Sequence, residues 1–368
     1  MTAERDDAAA LGAALHRIGP LDAGAMATAA RRLDRLTKPP GSLGRLEELL
    51  VTLAGITGRE DAPLDNRQIV VAAGDHGVVA QAVSAYPQEV TRQMVANFVA
   101  GGAAINVLAA TVGAAVTVVD VGVALPIPRV RRDPRRGGRL VRARIRGGTA
   151  DMTRGPAMRP AEALRAIGIG LRLVDDLGHT GGVNVLGIGE MGIGNTTAAS
   201  AIVAALTGER VDRVTGRGTG VDARALARKI ATIERALAVN RPDPADPLGV
   251  LVAVGGFEIA ALVGLMAGAA AKGIPVVLDG FITGSAALVA AALQPSIAPR
   301  LIAAHRSPEP GHAIVLERLG LRPYLDLGMR LGEGSGAALV IGLLGAAVRI
   351  RDEMATFDSA AISGPTGA

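Results

Sequence analysis

The segment VNVLGIGEMGIGNTTAASAIVAAL, residues 183–206, decides how the chain is read. Its first part, VNVLGIG, is an apolar run of buried-strand length. Its last part, TTAASAIVAAL, is a helix of small and apolar residues. Between them lies a glycine-bearing turn. A strand that runs through such a turn into a helix is the unit of a parallel sheet wrapped by helices. The same unit recurs on either side. Gln68–Ala73, Ala115–Val121, Gly249–Val254 and Ile274–Leu278 read as further strands, each entering a glycine-bearing loop and separated by helix-length segments. The expected fold is α/β: a mostly parallel sheet with helices on both faces. In such sheets ligands bind beyond the carboxyl ends of the strands, so chemistry should sit in those loops.

Before residue 67 the pattern is helical. Ala8–Ile18 and Leu21–Leu36 carry apolar residues at helical spacing, Lys38–Ser42 breaks the chain, and Leu43–Leu53 resumes a helix. A last helix, about Ser335–Arg349, is expected to pack near these, with the tail after Asp352 frayed. The run Leu251–Ala271 has the apolarity of a membrane span, but Glu258 inside it would cost about 2–3 kcal/mol or more at mid-bilayer. It reads instead as strand, Gly-Gly turn and buried helix, and no membrane partner is expected.

Composition narrows the function. There is no Cys among 368 residues, which excludes a disulfide scaffold, a thiolate metal site and a Cys nucleophile. Aromatics are 2%, which argues against base-stacking platforms. The first residues are polar and acidic, unlike a targeting signal, so a cytoplasmic protein is expected. The net charge of +5 comes from nine arginines between Arg129 and Arg146. A polyanion patch is one reading. An exposed, solvated hairpin with Pro134 and Gly137–Gly138 at its tip is the preferred one, since no aromatic residue interleaves the arginines. No nucleic-acid partner is expected.

Four loops are unusual. In AAGDHGVVAQAVSAYPQEVT (72–91), Asp75-His76 follows a strand and suggests a metal site or general base, although a hydrogen-bonded loop pair is the commoner outcome. Tyr86 in the same loop is one of only two tyrosines. In GIGEMGIGNTT (187–197), Glu190 sits inside a formal G-x-G-x-x-G, where its charge disfavours a pyrophosphate. Gly192, Gly194, Asn195, Thr196 and Thr197 offer amides and hydroxyls at a helix start, which suits one phosphate or simply a cap. TGRGTGVD (215–222), followed by Lys229, fits phosphate or ribose contact, or a tight crossover. In MRLGEGSGAA (329–338), Glu333 is either a candidate base, its pKa raised by partial burial, or a carboxylate favouring the helix dipole. Walker A, H-E-x-x-H and G-x-S-x-G motifs are absent.

Taken together these loops closely resemble the nicotinate-nucleotide:5,6-dimethylbenzimidazole phosphoribosyltransferase family of cobalamin lower-ligand synthesis. The resemblance is carried by TKPPGSLGRLEEL (37–49), AGDHGVVAQAVSAYPQEVTRQMVANFVAGGAAINVLA (73–109), GIGEMGIGNTTAASA (187–201), GRGTGVD (216–222), GGFEIAALVGLMAGAA (255–270), GIPVVLDGFITGSAAL (273–288), HRSPEPGH (305–312) and DLGMRLGEGSGAAL (326–339). Residues 124–146 and both termini agree least and inherit nothing. The resemblance implies Glu333 as catalytic base, with Glu190 supporting or replacing it. It implies phosphate contacts from the turn after Glu190 (Gly192, Asn195), from Gly218, Lys229 and Arg330, a further substrate contact at Gly280, and a benzimidazole pocket from Tyr86, Gln88, Met191 and Leu331. It implies a Rossmann-like α/β domain over 61–334, a small helical domain from 1–60 and 335–368, and a homodimer.

The expected partners are nicotinate mononucleotide and a benzimidazole-type base, with no cofactor and no metal. The glycosidic nitrogen of the nucleotide is a pyridinium, so nicotinate leaves without a general acid. The attacking benzimidazole sheds a proton that a carboxylate can take. Attack inverts the anomeric carbon through an oxocarbenium-like transition state, which a second carboxylate would stabilise. The competing reading is an NAD(P)-dependent oxidoreductase built on GIGEMG. It requires an acidic residue ending the next strand, for which Asp212 is the nearest candidate.

Overall fold

A computed structural model describes residues 2–178, 182–218 and 220–363. Six strands, β1 (Arg67–Gly74), β2 (Ala114–Gly122), β3 (Arg139–Arg142), β4 (Val185–Met191), β5 (Val276–Leu278) and β6 (Leu301–Ala303), form one sheet. Every pairing is parallel and the order is β3-β2-β1-β4-β5-β6. The chain order reverses between β1 and β4, which opens a crevice at the carboxyl ends of these two strands. Six of the eight residues of β1 are apolar or glycine, and all but Arg67 are buried, as a central parallel strand requires.

Ahead of β1 come α1 (Thr2–His16), α2 (Ala23–Asp34) and α3 (Arg45–Thr57). Between the first strands lie α4 (Glu89–Ala100), α5 (Ala104–Thr111) and α6 (Pro160–Gly178). After β4 follow α7 (Asn195–Thr207), α8 (Val211–Val214), α9 (Ala223–Asn240), α10 (Pro247–Val254) and α11 (Phe257–Ala271). Then come α12 (Phe281–Leu293), α13 (Pro310–Leu319) and α14 (Ser335–Glu353).

Strand alternation sorts these helices into two layers. Val70 and Ala72 face a core built with α1, α6, α7, α11 and α12. Ile69, Val71 and Ala73 face the other core, built with α2, α3, α4, α5 and α14. In the first layer α6 and α11 touch backbone to backbone. A Cβ on Gly264 would fall on the Ile167 carbonyl, and one on Gly170 on the Ala261 carbonyl.

The structure departs from the sequence reading in four places. Gly249–Val254 is helix α10, not a strand; its residues are apolar all round, and Asp246 caps it through the Gly249 amide. A helix apolar on every side carries no 3.6-residue polarity to distinguish it from a strand. The arginine-rich stretch is not a hairpin. Its second half is β3, paired parallel to β2 at the sheet edge. The short strand β6 adds the opposite edge and had no sequence signal. The tail does not fray at Asp352: the Phe357 amide donates to Arg35 O at 3.0 Å, and the Thr37 amide to Ala355 O at 3.0 Å. The segment Glu89–Thr111 is apolar and long enough to cross a bilayer, but half of it is buried, and it is broken at Gly101–Gly102 between α4 and α5.

Candidate active site

The loops after β4, β5 and β6 meet the segment before α14 around an open cleft. It is lined by Glu190, Met191, Gly192 and Asn195 from the first loop, by Gly280 and Phe281 after β5, and by His305, Ser307 and Glu309 after β6. Gly218 closes one side, and Arg330, Leu331 and Gly332 the other. A recess shares Gly192, Asn195, Thr196 and Gly218 with the cleft and ends on Lys229.

Each element delivers its residue for a physical reason. Gly189 of β4 has no side chain, so the backbone of Glu333–Gly334 lies directly on the strand, where a Cβ would collide with it. That approach seats Gly332 beside Glu190 Oε1 and brings the two glutamates together although 143 positions separate them in sequence. Glu333 is 5% exposed, and burial together with the Asp279 charge lifts its pKa to about 7. Glu190 is buried too. Desolvation and the charges of Asp279, Glu258 and Glu333 push it well above the carboxylate range, against the pull of the hydrogen bond that Asn195 Nδ2 donates to Oε2.

Lys229 is buried on α9. Its ammonium donates to Thr196 Oγ1 at 2.8 Å and to Gly216 O at 3.2 Å, and desolvation lowers its pKa to about 8. Glu309 Oε1 accepts from the Gly218 amide at 2.8 Å, tying the glycine-rich loop to the loop after β6. Thr219 of that loop lies outside the described residues. The recess therefore offers a cation, the amides at the start of α7 and glycine backbone, a donor set suited to one phosphate.

Asp75 and His76 behave as hydrogen-bonded supports. Thr91 Oγ1 donates to Asp75 Oδ1 at 2.6 Å and accepts from the Ile193 amide at 3.1 Å, which steadies the glycine turn from below. His76 Nε2 lies 2.6 Å from Glu258 Oε1, and that carboxylate raises the imidazole pKa against the desolvation of the ring. Among the described residues no group of three or more His, Cys, Asp or Glu is arranged to hold a metal ion.

Of the residues singled out in the sequence, Glu190, Met191, Gly192, Asn195, Gly218, Gly280, Arg330 and Leu331 line the cleft. Lys229 lies in the adjoining recess, and Glu333 lies buried beside Gly332. Tyr86 and Gln88 are not brought to the cleft: Tyr86 is 51% exposed, and Gln88 reaches only the His76 carbonyl. Asp279, His305, Ser307 and Glu309 had no role assigned from the sequence. HRSPEPGH carries part of the family resemblance, but the three-residue strand β6 just ahead of it leaves no pattern in the sequence.

The dinucleotide reading fails on the same geometry. Asp212 lies in helix α8 and pairs with Arg210 on the surface, so no strand after α7 ends in a ribose-binding acid there. What remains is an α/β group-transfer site with two buried carboxylates beside a recess whose donors suit a phosphate.

That class has a family. A family model described as "Phosphoribosyltransferase" (DBI_PRT) matches residues 18–362, and the chain belongs to this family. A relative from Roseiflexus sp. (strain RS-1), named nicotinate-nucleotide--dimethylbenzimidazole phosphoribosyltransferase, is 56% identical over 348 residues, covering 95% of this chain and 96% of its own. A relative of the same name from Salinispora tropica is 53% identical over 354 residues, 94% and 97% of the two chains. The crystal structure of CobT from Thermus thermophilus superposes with a TM-score of 0.86 at 48% identity, over 92% of this chain and 99% of that one.

Proposed function

We propose that the chain moves the 5-phosphoribosyl group of nicotinate mononucleotide onto 5,6-dimethylbenzimidazole or a related base, giving α-ribazole 5′-phosphate and nicotinate with inversion. The relatives' shared name supports the reaction and its place in cobalamin synthesis. The single observation that carries the roles is the convergence of Glu190 and Glu333 next to the Lys229 recess.

Glu333 takes the proton of the attacking benzimidazole. A base that must lose its own proton near neutrality and accept one in the transition state works best with a pKa near the working pH, and about 7 fits. Glu190 faces the sugar. Burial among carboxylates disfavours its ionised form, and a cationic pyridinium alongside reverses that balance, so its negative charge would develop where positive charge develops on the ribose. Lys229, Gly192, Asn195, Gly218 and Arg330 hold the phosphate, with Gly280 a further substrate contact; Met191 and Leu331 face the flat base. Leu331 is 55% exposed, so a base stacked on it would remove apolar surface from water. Tyr86 and Gln88 would reach the base only through movement of their loop.

A homodimer, a cytoplasmic location and a helical unit formed by residues 1–60 and 335–368 belong to the same proposal. Packing of α14 against α3 supports the last of these, although α14 also lies on β1, β4 and β5, and α1 packs in the other layer against α6 and α11. The test is direct. The purified chain is incubated with both substrates, with and without EDTA, and the products are separated and their anomeric configuration read by NMR. Nicotinate release that requires the base, yields the α-anomer and survives EDTA supports the proposal. Release without base, a β-product or loss on chelation contradicts it.

A further inference from the structure

The turn Gly332–Glu333–Gly334 is unusual backbone. All three residues have positive φ, +82°, +64° and +84°. For glycine that conformation meets no side-chain clash. For Glu333 it is strained and persists only where the surroundings enforce it. The enforcement comes from the neighbouring strand. The Gly334 amide donates to Asp279 Oδ2 at 2.9 Å, and the Gly336 amide donates to Asp279 Oδ1 at 2.7 Å. α14 has no capping side chain of its own, so this carboxylate, just beyond β5, satisfies its orphan amides at the positive end of the dipole. Asp279 is 2% exposed and does not line the cleft. Glu333 does not line the cleft either: Leu331 and Gly332 stand at its wall, and Asp279 touches the turn behind them through the Gly334 and Gly336 amides.

The rest of the surround adds little charge. Gly334 packs on Ile69 of β1 and Ile105 of α5. The ionisable groups near Glu333 are Asp279 from the end of β5 and Glu190 from β4. His305 after β6 lies 3.8 Å from Asp279, and Glu258, paired with His76, acts on Glu190.

We propose that Asp279 is the positioning residue for Glu333: by holding the Gly334 and Gly336 amides it locks the strained turn and fixes the carboxyl that takes the proton. The inference rests on Glu333 being the base. The same contact gives Asp279 a second effect, because its negative charge opposes ionisation of Glu333.

A double-mutant cycle on the full chain tests it, with Asp279→Asn, Glu333→Gln and the pair. Asp279→Asn should lower kcat by about 10- to 100-fold through misplacement of Glu333, with the KM for nicotinate mononucleotide within about threefold. It should also move the acid limb of kcat/KM to lower pH, since Glu333 then ionises more easily. In the Glu333→Gln background the same change should cost less than about threefold. An equal loss in both backgrounds, a loss wholly in KM, or an unmoved acid limb would overturn the proposal while leaving the base assignment standing. Full turnover in Glu333→Gln alone would remove the base and the proposal together. Asp279→Ser serves if Asp279→Asn does not fold. Failure of both to fold would make Asp279 a residue of the fold only and overturn the proposal.

Discussion

At the scale of single residues, the site works by placing charge where water cannot screen it. Glu190, Glu333, Asp279 and Lys229 are each less than 10% exposed. Their pKa values move in the directions burial demands, up for the acids and down for the amine. Lys229 is the clearest case. Below pH 8 it is an ammonium, which would attract the phosphate of the proposed nucleotide; above that it discharges. The kcat/KM for the nucleotide should therefore fall as pH rises through about 8. Lys229→Met should remove that alkaline limb and raise KM at pH 7 by about 10- to 100-fold, the worth of one charged hydrogen bond. Initial-rate kinetics across pH 6–10 check both. The sequence marked Glu190, Glu333 and Lys229 because each sits in or beside a glycine loop. Asp279 carried no such mark, because the amides that it holds are more than fifty positions downstream.

At the scale of elements, glycine does two different jobs that variants can separate. Gly189 lets the Gly332–Gly334 turn lie on β4, and Gly264 lets α11 lie on α6. Gly264→Ala should lower stability by about 1–3 kcal/mol, read by urea unfolding, with kcat within about twofold of the parent, since neither Gly264 nor the Ile167 backbone it packs on lines the cleft. Gly189→Ala should instead lower kcat by about tenfold or more, because it lifts Glu333 off the strand. Equal effects of the two on kcat would contradict this division. The elements themselves were unevenly legible. β1, β2, β4 and β5 announce themselves as short apolar runs ahead of glycine-bearing loops. β3 is four residues, two of them arginine, and β6 is three residues behind a short 3-10 turn, Pro295–Arg300, so neither offers a period to detect. α10 misled for the opposite reason: it is apolar on every face.

At the scale of the whole molecule, the strand order β3-β2-β1-β4-β5-β6 puts the reversal between β1 and β4, and the loops of β4, β5 and β6 all open on that side. The arginine-rich stretch lies at the far edge of the sheet, on β3, away from these loops; there, exposed guanidinium groups discourage pairing of the edge strand with another chain. The central claim is that two acids brought together by this topology run the exchange of one heterocycle for another, with Glu333 taking the proton. The most direct measurement is the pH dependence of kcat/KM for the wild type and Glu333→Gln. The wild type should rise through an apparent pKa of about 7. The variant should lose that limb and fall in turnover by roughly 10²- to 10⁴-fold. An acid limb that persists unchanged in Glu333→Gln, at undiminished rate, would contradict it.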